Sequence, residues 1–202
     1  MDKYHSQFGE MEFLLDRGMV KLPAKGIYVD VGAHDGFTDN NTYWLDAMLN
    51  WDGICIEPHP HAFSRLVQNR KRTIALNVAI GTGPSPAEFY MHPLETWSRL
   101  GGNDLPKTGT PIPVTVRRLD DILFQKNIDH IDLLSIDTEG TELDVLQTIT
   151  LDRYRPQIII IEWNTWKETK NTEREIMDSF YPHPYRMIHR TEGNLIFERL
   201  SR

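Results

Sequence analysis

The sequence predicts a doubly wound α/β sandwich, in which helices cover both faces of a mainly parallel sheet of seven strands with the last strand antiparallel. Three observations carry this prediction. Short apolar runs alternate with segments of helical periodicity, which is the pattern of βαβ units. The run from Ile158 to Ile161 is continuous and β-branched, as expected of a strand buried on both faces. The short turn Thr191-Glu192-Gly193 predicts an antiparallel hairpin near the end.

The first half of the chain contains the patterns of three strands and two helices. Apolar runs between turn-forming residues predict strands at 27–31, 53–57 and 73–78. Helices are predicted at 40–50 and 60–69. Thr38 or Asp39 is expected to cap the first of these helices, since small polar side chains accept hydrogen bonds from exposed N–H groups there. Pro58 and Pro60 separate the second strand from its helix.

The second half supplies the remaining strands, predicted at 131–136, 158–161, 185–189 and 194–199. Gly140 and Thr141 begin a predicted helix that carries apolar residues at helical spacing as far as Ile149. Thr172 and Glu175 have the spacing of a capping box, and Pro182 ends the helix that they begin. Strands and helices therefore alternate throughout, as the sandwich requires.

One segment breaks this alternation. Residues 81–113, the excursion, are rich in glycine and proline and are predicted to be irregular. Long irregular segments in compact domains are commonly lids or binding loops, so we expect an acceptor lid here, with an elaboration without chemical role as the alternative. Residues 88–91 are predicted to pair with 114–116. The whole chain, 1–202, is predicted to form a single domain.

The composition is that of an ordinary globular protein and argues against several classes. The net charge of −7 argues against a broad nucleic-acid surface. The single cysteine, Cys55, excludes an intramolecular disulfide, and its apolar strand predicts a buried thiol. No apolar stretch has the length of a membrane span, and no signal-peptide pattern is present. We expect a cytoplasmic enzyme or binding module that contacts neither nucleic acid nor membrane, and a homodimer stays open.

The first predicted strand runs into a turn with two glycines, Gly32 and Gly36, and the second strand ends on an acid 21 residues later, at Glu57. Glycines allow the backbone to approach a ligand closely. An acid at the end of the neighbouring strand is placed to accept hydrogen bonds from ribose hydroxyls. The pattern therefore predicts half of a nucleotide-type cofactor pocket, with a tight βα turn beside an unrelated acid as the alternative.

The charges around this turn indicate which cofactor it suits. Asp30, Asp35 and Asp39 lie where a pyrophosphate would need neutral or positive surroundings. They suit a ligand that carries an ammonium group, a sulfonium group and a ribose, and S-adenosylmethionine is such a ligand. An NAD-dependent oxidoreductase is disfavoured for the same reason.

Several longer motifs resemble the FkbM family of S-adenosylmethionine-dependent methyltransferases. The segments that carry the resemblance are 28–36, 40–45, 53–58 and 133–142, with shorter similarities at 6–10, 118–123 and 160–164. The resemblance covers nearly the whole chain and is weakest at 83–113. It implies a class I methyltransferase fold, which is Rossmann-like and three-layered, and O-methylation of hydroxyls on sugars or polyketide-type natural products. His34 departs from the asparagine that many relatives have.

Ligands of open α/β sheets bind beyond the carboxyl ends of the strands. We therefore expect Gly32 and Gly36 to give the methionine portion room, Glu57 to bind the ribose, and Asn77-Val78 to meet the adenine, although an asparagine at a strand end is also a common turn former. With the resemblance added, the predicted cofactor-binding residues are Gln7, Asp30, Gly32, Ala33, His34, Gly36, Asn41, Glu57, Pro58, Asn77, Val78 and Asp137.

A sugar hydroxyl is a poor nucleophile, so a base or a metal ion must assist methyl transfer. In one mechanism, Asp137, Glu162 and Asn164 bind Mg²⁺, because carboxylate and amide oxygens suit that ion. In the other, Glu139 or His92 takes the proton directly. The predicted catalytic residues are Asp137, Glu139 and His92. A helix N-terminal acid without a catalytic role is the alternative for Glu139.

Aromatic residues supply a further candidate feature. Trp97, Trp163 and Trp166 lie in or after segments expected near the cleft, where an aromatic face would suit a sugar ring or a macrolide. Core packing is the alternative, above all for Trp163. The sequence thus predicts an O-methyltransferase with a sugar, glycan or glycosylated metabolite as acceptor. A methyltransferase acting on natural-product hydroxyls or on nitrogen, and a catalytically silent cofactor-binding module, remain as rivals.

Overall fold

The computed structural model describes residues 4–15, 22–101, 107–163 and 172–200. The strands are β1 (Ile27–Val31), β2 (Asp52–Ile56), β3 (Ile74–Leu76), β4 (Ala79–Ile80), β5 (Ala87–Met91), β6 (Arg99–Leu100), β7 (Thr110–Val114), β8 (Val116–Arg117), β9 (Leu133–Ile136), β10 (Ile158–Glu162), β11 (Tyr185–Arg190) and β12 (Asn194–Arg199). The helices are α1 (Glu10–Leu15), α2 (Tyr43–Leu49), α3 (Pro60–Asn69), α4 (Leu119–Gln125), α5 (Glu142–Leu146), α6 (Leu151–Tyr154) and α7 (Glu173–Phe180). A 3₁₀ turn spans Glu95–Trp97.

The main sheet has seven strands in the order β11-β12-β10-β9-β1-β2-β3. Its strands are parallel except that β12 runs antiparallel to both β10 and β11. The fold class predicted from the sequence, including the antiparallel last strand and the closing hairpin, is confirmed. The strand order reverses beside β1, so the loops after β1, β2, β9 and β10 meet at one edge of the sheet, which is where such folds bind ligands.

The central strands are buried on both faces, which explains their continuous apolar sequences. Along β1, Val29 and Val31 pack into one core cluster, whereas Tyr28 packs into the cluster on the other face. Ile158 to Ile161 alternate between the same two clusters, and all four side chains are buried. Since full burial of such a side chain contributes about 1.5–3 kcal/mol, these strands form a rigid frame for the loops beyond them.

Several boundaries differ from the sequence predictions. The helix predicted at 40–50 begins at Tyr43, with Thr42 at its N-cap rather than Thr38 or Asp39, because Thr38 instead bonds Asp35 through its amide and hydroxyl. Helix α5 ends at Leu146, before Ile149. The capping box of Thr172 and the hairpin β11–β12 form as predicted. Helices α1, α4 and α6 had no counterpart in the prediction.

The third strand is shorter than predicted and ends at Leu76. The chain then leaves the main sheet, because β4 pairs in parallel with β8 in a separate two-stranded sheet. Asn77 lies at the point of departure and donates from Nδ2 to the carbonyl oxygens of Glu57 (2.8 Å) and Pro58 (3.1 Å). The side-chain amide therefore joins the ends of two neighbouring strands.

The excursion contains an ordered antiparallel sheet, β6-β5-β7, in its described part. Residues 87–91 pair with 110–114, from Ala87 opposite Val114 to Met91 opposite Thr110. The predicted pairing of 88–91 with 114–116 is therefore wrong, because Val116 pairs with Ala79 instead. A small apolar cluster of Ala79, Phe89, Val114 and Val116 holds the excursion to the main body.

Cys55 is buried in β2 as a free thiol, as predicted. Within the described ranges, no helix combines the length and the apolar character that crossing a membrane requires.

Candidate active site

A cavity of about 240 Å³ lies at the edge of the sheet where β1, β2, β9 and β10 end. Further walls come from residues 7–8, from residues 78–80, from the excursion with its 3₁₀ turn, and from Gly193 in the closing hairpin. The predicted site residues that line it are Gln7, Gly32, Ala33, His34, Glu57, Pro58, Val78, Asp137, Glu139 and Glu162. Most of the predicted cofactor residues are thus brought together in one place.

The loop after β1 forms the floor of the cavity. The amides of Gly32 and Ala33 donate to the Ile56 carbonyl (2.9 and 3.1 Å), which fixes the loop against β2. Gly32 has φ of +85°, and a Cβ there would overlap the Asp137 carbonyl oxygen. Glycine is therefore required at this position by the close approach of two main-chain segments, whether or not a ligand also needs the space.

Gly36 has a different role from the one expected. It lies outside the cavity lining, and a Cβ added at its φ of +70° would overlap Leu66 of α3 and crowd Arg70, the residue that follows this helix. The expectation that Gly36 gives the methionine portion room is corrected accordingly: the residue lets the loop pack against α3.

Asp30 is buried behind the floor and does not line the cavity. Its Oδ2 accepts hydrogen bonds from Asn40 Nδ2 (2.9 Å) and Thr42 Oγ1 (2.7 Å). Burial raises the pKa of Asp30, and the hydrogen bond from Thr42, the charge of Arg70 and the hydrogen bond from Asn40 oppose that shift. In this structure Asp30 supports the loop rather than facing a ligand.

Arg70 completes this support, and sequence reasoning missed it. Its buried guanidinium donates to the Gly36 carbonyl (2.5 Å), Asn40 Oδ1 (2.5 Å) and Thr42 Oγ1 (3.0 Å), and lies 3.5 Å from a carboxylate oxygen of Asp46. An arginine that ends a helix ordinarily faces solvent, so nothing in the local sequence signalled this role.

Three other predicted residues also lie outside the lining. Asn41 is buried, with Nδ2 3.4 Å from Ser135 Oγ, and its Oδ1 has no hydrogen-bond partner among the residues that the structure describes. The side-chain amide of Asn77 donates to the main-chain carbonyls of Glu57 and Pro58. His92 accepts from the Leu94 amide through Nδ1 (3.0 Å) and packs beside the Trp97 ring. Asn164 and Trp166 lie outside the described residues.

Glu57 lies at one end of the cavity and is only 7% exposed. Its Oε2 accepts from the His34 amide (2.8 Å) and its Oε1 from the His59 amide (2.7 Å). Burial raises the pKa of Glu57 to about 7 in spite of these two hydrogen bonds, which favour the charged form. Each carboxylate oxygen retains capacity for a further hydrogen bond, so the group is suited to binding hydroxyls.

A group of three carboxylates, the acid cluster, lies where β9 and β10 end, and two of its members, Asp137 and Glu162, line the cavity. Asp137, Glu142 and Glu162 each place an oxygen within 4.8 Å of the others. Burial, followed by the charges of Glu162 and Glu139, raises the pKa of Asp137 well above its ordinary value. Burial and the charge of Glu162 raise the pKa of Glu142 to about 7. Burial and neighbouring charges therefore favour the protonated forms of Asp137 and Glu142.

Glu142 was absent from the predicted site, although it lies in the motif at 133–142. Its Oε1 accepts from the amides of Thr138 (2.8 Å) and Gly140 (3.0 Å) and from Thr138 Oγ1 (3.0 Å). These bonds shape the loop that carries Glu139, which lines the cavity with the left-handed φ of +59°. Such a backbone conformation is uncommon for glutamate and recurs at functional sites.

The excursion, predicted to be an acceptor lid, contributes a wall of the cavity that includes Glu95, a residue absent from the predicted site. Glu95 of the 3₁₀ turn forms an ion pair with Arg65 of α3 and lies 3.5 Å from His34 Nε2. The hydrogen bond from Arg65 lowers the pKa of Glu95. Trp97, which is 42% exposed, also lines the cavity. The excursion is therefore attached to both α3 and the loop after β1.

This strand order, with a cavity at the carboxyl edge of β1, β2, β9 and β10, defines the class I methyltransferase fold. The chain belongs to the family described as the methyltransferase FkbM domain, whose sequence profile matches residues 30–187. It is structurally similar to the FkbM methyltransferase of Methylobacillus flagellatus, with a TM-score of 0.57 and 17% identity over 96% of this chain and 49% of that one. The family predicted from the sequence is confirmed.

Two characterised relatives have lower but recognisable sequence similarity. The chain is 28% identical over 151 residues to the 2-O-methyltransferase NoeI of Sinorhizobium fredii, over 63% of this chain and 60% of that protein. It is 22% identical over 150 residues to the hexuronic acid methyltransferase AglP of Haloferax volcanii, over 72% of this chain and 61% of that protein. The chain thus spans about 60% of the length of these relatives.

Proposed function

We propose that this chain transfers a methyl group from S-adenosylmethionine to a hydroxyl of a sugar, a glycan or a glycosylated metabolite. The observation that carries the proposal is the pairing of two acidic ends in one cavity: a carboxylate suited to ribose hydroxyls at Glu57 and a proton-holding cluster at Asp137. NoeI and AglP, both named as methyltransferases and one for a 2-O position, support the assignment.

The charges of the cavity fit this cofactor. Asp39, Glu57, Glu95, Asp137, Glu139 and Glu162 line the cavity, and among the described residues no lysine or arginine does. A pyrophosphate would be repelled by such a lining, whereas an ammonium and a sulfonium group would be attracted. When bound, S-adenosylmethionine supplies a methyl group on positively charged sulfur.

Different residues bind the ribose, the methionine portion and the adenine of that ligand. Glu57 accepts hydrogen bonds from the ribose, and Gly32 and Ala33 leave the floor low enough for the methionine portion. Pro58, Val78 and Ile80 offer apolar surface for the adenine beside Glu57. Asp137 follows β9 and, in this proposal, lies near the methionine amine and the acceptor.

Methyl transfer also requires a group that accepts the proton of the acceptor hydroxyl. An acceptor hydroxyl must lose one proton as its oxygen gains the methyl group, so a base has to lie beside it. Glu139 lines the cavity near Asp137, and burial raises the pKa of Asp137, which favours its protonated form. In this mechanism the carboxylate of Glu139 takes the proton from the acceptor hydroxyl as the hydroxyl oxygen bonds the methyl group and the methyl–sulfur bond breaks, and His92, outside the lining, does not.

The same carboxylates are hard oxygen donors and could hold Mg²⁺, with Glu142 in addition to the predicted Asp137 and Glu162. We favour the metal-free mechanism, because Oε1 of Glu142 already accepts three hydrogen bonds from its own loop and Asp137 is hydrogen-bonded to Glu162.

The test uses purified protein, methyl-labelled cofactor and a matched set of acceptors: a neutral hexoside, its uronate, its 2-amino analogue and a polyketide alcohol. We expect label on a sugar hydroxyl, located by mass spectrometry. Label confined to the amine or to the polyketide alcohol would replace the proposal by one of its rivals. Calorimetric binding of S-adenosylhomocysteine without transfer to any acceptor would indicate a silent module, and preferential binding of NAD would reject the cofactor.

A further inference from the structure

The N-terminal segment (residues 4–15) and the hairpin turn (residues 191–194) together form a wall of the cavity. Gln7 and Phe8 line it from one side and Gly193 from the other. Both segments lie outside residues 30–187, which the family profile matches. The wall therefore lies beyond the matched residues, although residues 6–10 carry one of the shorter similarities to the family.

A buried glutamate joins the two segments. Glu10 is 0% exposed, and its Oε1 accepts from Asn194 Nδ2 (2.9 Å) and Thr191 Oγ1 (3.1 Å). Its Oε2 accepts from the Phe8 amide (3.0 Å). Burying a carboxylate is costly unless such donors compensate it, so the arrangement depends on both segments being in place.

The wall lies at the acidic, acceptor end of the cavity. Gly193 accepts a hydrogen bond from the Trp163 amide (2.8 Å), directly after Glu162, and Asn194 is opposite Glu162 in the strand register. A Cβ on Gly193 would overlap the Phe8 ring, so ring and turn are in close contact. Phe8 is therefore held beside the strand end that carries Glu162, whereas Glu57 lies on the other side of β1.

We infer that Phe8 and Gln7 determine acceptor specificity and that Glu10 is the positioning residue that holds them. This inference rests on the proposed function. An aromatic ring beside the acid cluster offers a flat apolar surface to the C–H face of a pyranose, and the neighbouring amide of Gln7 can bind a ring hydroxyl. The acceptor class is thus a six-membered sugar ring bound in stacking contact. Gln7, predicted from the resemblance as a cofactor residue, is assigned to the acceptor instead.

The experiment compares Phe8→Ala, Gln7→Ala and Glu10→Gln with the matched control Glu12→Gln, an acid-to-amide change at an exposed position of α1. Acceptor KM, kcat and the Kd of S-adenosylhomocysteine are measured for each, with thermal melting to confirm folding. We expect Phe8→Ala to raise the acceptor KM about tenfold, Gln7→Ala and Glu10→Gln to raise it less, and Glu12→Gln to leave it unchanged. The cofactor Kd is expected to stay within about twofold in all four.

A second variant covers the case in which Glu10→Gln fails to fold. Gly193→Ala displaces the Phe8 ring, so we expect it to raise the acceptor KM in the parent chain and to have little further effect beside Phe8→Ala. Additive effects of the two changes, or weakened cofactor binding with an unaltered acceptor KM, would overturn the inference. Absence of methyl transfer by the parent chain would instead reject the proposed function, so the two failures are distinct.

Discussion

Carboxyl groups at the two ends of the cavity both have raised pKa values, but their surroundings differ. At one end a single carboxylate, Glu57, is held by two backbone amides that belong to loops after β1 and β2. At the other, Asp137, Glu142 and Glu162 lie against one another. Burial raises the pKa to about 7 for both Glu57 and Glu142, and the charge of Glu162 is the second-largest cause for Glu142, whereas the charges of Asp30 and Glu95 are the smallest causes for Glu57.

This difference indicates that Glu57 is suited to binding and the acid cluster to proton transfer. A carboxylate fixed by amides is preorganised and changes little when a ligand hydroxyl arrives, which suits binding. Carboxylates that share protons can take up or release one with a small change in local charge, which suits proton transfer. Changes at the two ends should therefore affect different measured quantities.

The largest effect is expected at the acid cluster. Asp137→Asn should lower single-turnover methyl transfer by about a hundredfold or more, because it removes the group that shares a proton with Glu162, and Glu162→Gln should act in the same direction. The Kd of S-adenosylhomocysteine should change much less. A variant that loses cofactor affinity and turnover in equal measure would show that both ends serve binding.

A smaller effect, on the other quantity, is expected for Glu57→Ala. Loss of a charged acceptor should weaken binding of S-adenosylhomocysteine by about 1.5–3 kcal/mol, or roughly ten- to a hundredfold. Calorimetry provides the measurement, and Glu88→Ala, an exposed acid on β5, is the matched control. An unchanged Kd would remove Glu57 from the ribose site.

The effect of pH on the affinity for S-adenosylhomocysteine should be smaller than the effect of Glu57→Ala. Because burial raises the pKa of Glu57 to about 7, its charged form is lost as the pH falls through that value. Affinity for S-adenosylhomocysteine should then fall by about tenfold at most between pH 8 and pH 6, since the protonated group is a poorer acceptor. Glu57→Gln should flatten this profile. A profile that keeps its slope in that variant would assign the titration to the acid cluster.

The smallest expected effect is that of EDTA on turnover, and it distinguishes the metal-free mechanism from the one that uses Mg²⁺. With metal-free proton transfer, turnover in excess EDTA should stay within about twofold of the untreated rate. Loss of activity that Mg²⁺ restores would establish the cluster as a metal site with Glu142 among its ligands. Metal content measured before and after treatment is the necessary control.

The strands were predictable because burial on both faces leaves a direct trace in the sequence, as in Ile158 to Ile161. The excursion was not, because β7 contains Pro111 and Pro113, which lack the N–H that marks a strand and are tolerated at a sheet edge. Its register was therefore misassigned. Short helices such as α6, with four residues, give too little periodicity to detect.

Within the site, residues that follow strands were predictable from topology alone, and Glu57, Asp137 and Glu162 all line the cavity. What escaped prediction depends on partners distant in sequence. Glu95 is recognisable only through Arg65, 30 residues away. Gly36 is explained by α3 rather than by a ligand, and Asn77 by the carbonyls that it joins, so their residue types suggested functions that the contacts do not require.

The contact between Gly32 and the Asp137 carbonyl has a consequence for evolution. Any side chain at position 32 would force β1 and β9 apart, so selection for a folded protein alone is enough to keep glycine there. A descendant that had lost catalysis would retain it as firmly as an active enzyme would. In sequence searches this glycine therefore indicates only that a chain has the fold. Loss of the acids at the ends of the strands is what would identify a chain that no longer transfers methyl groups.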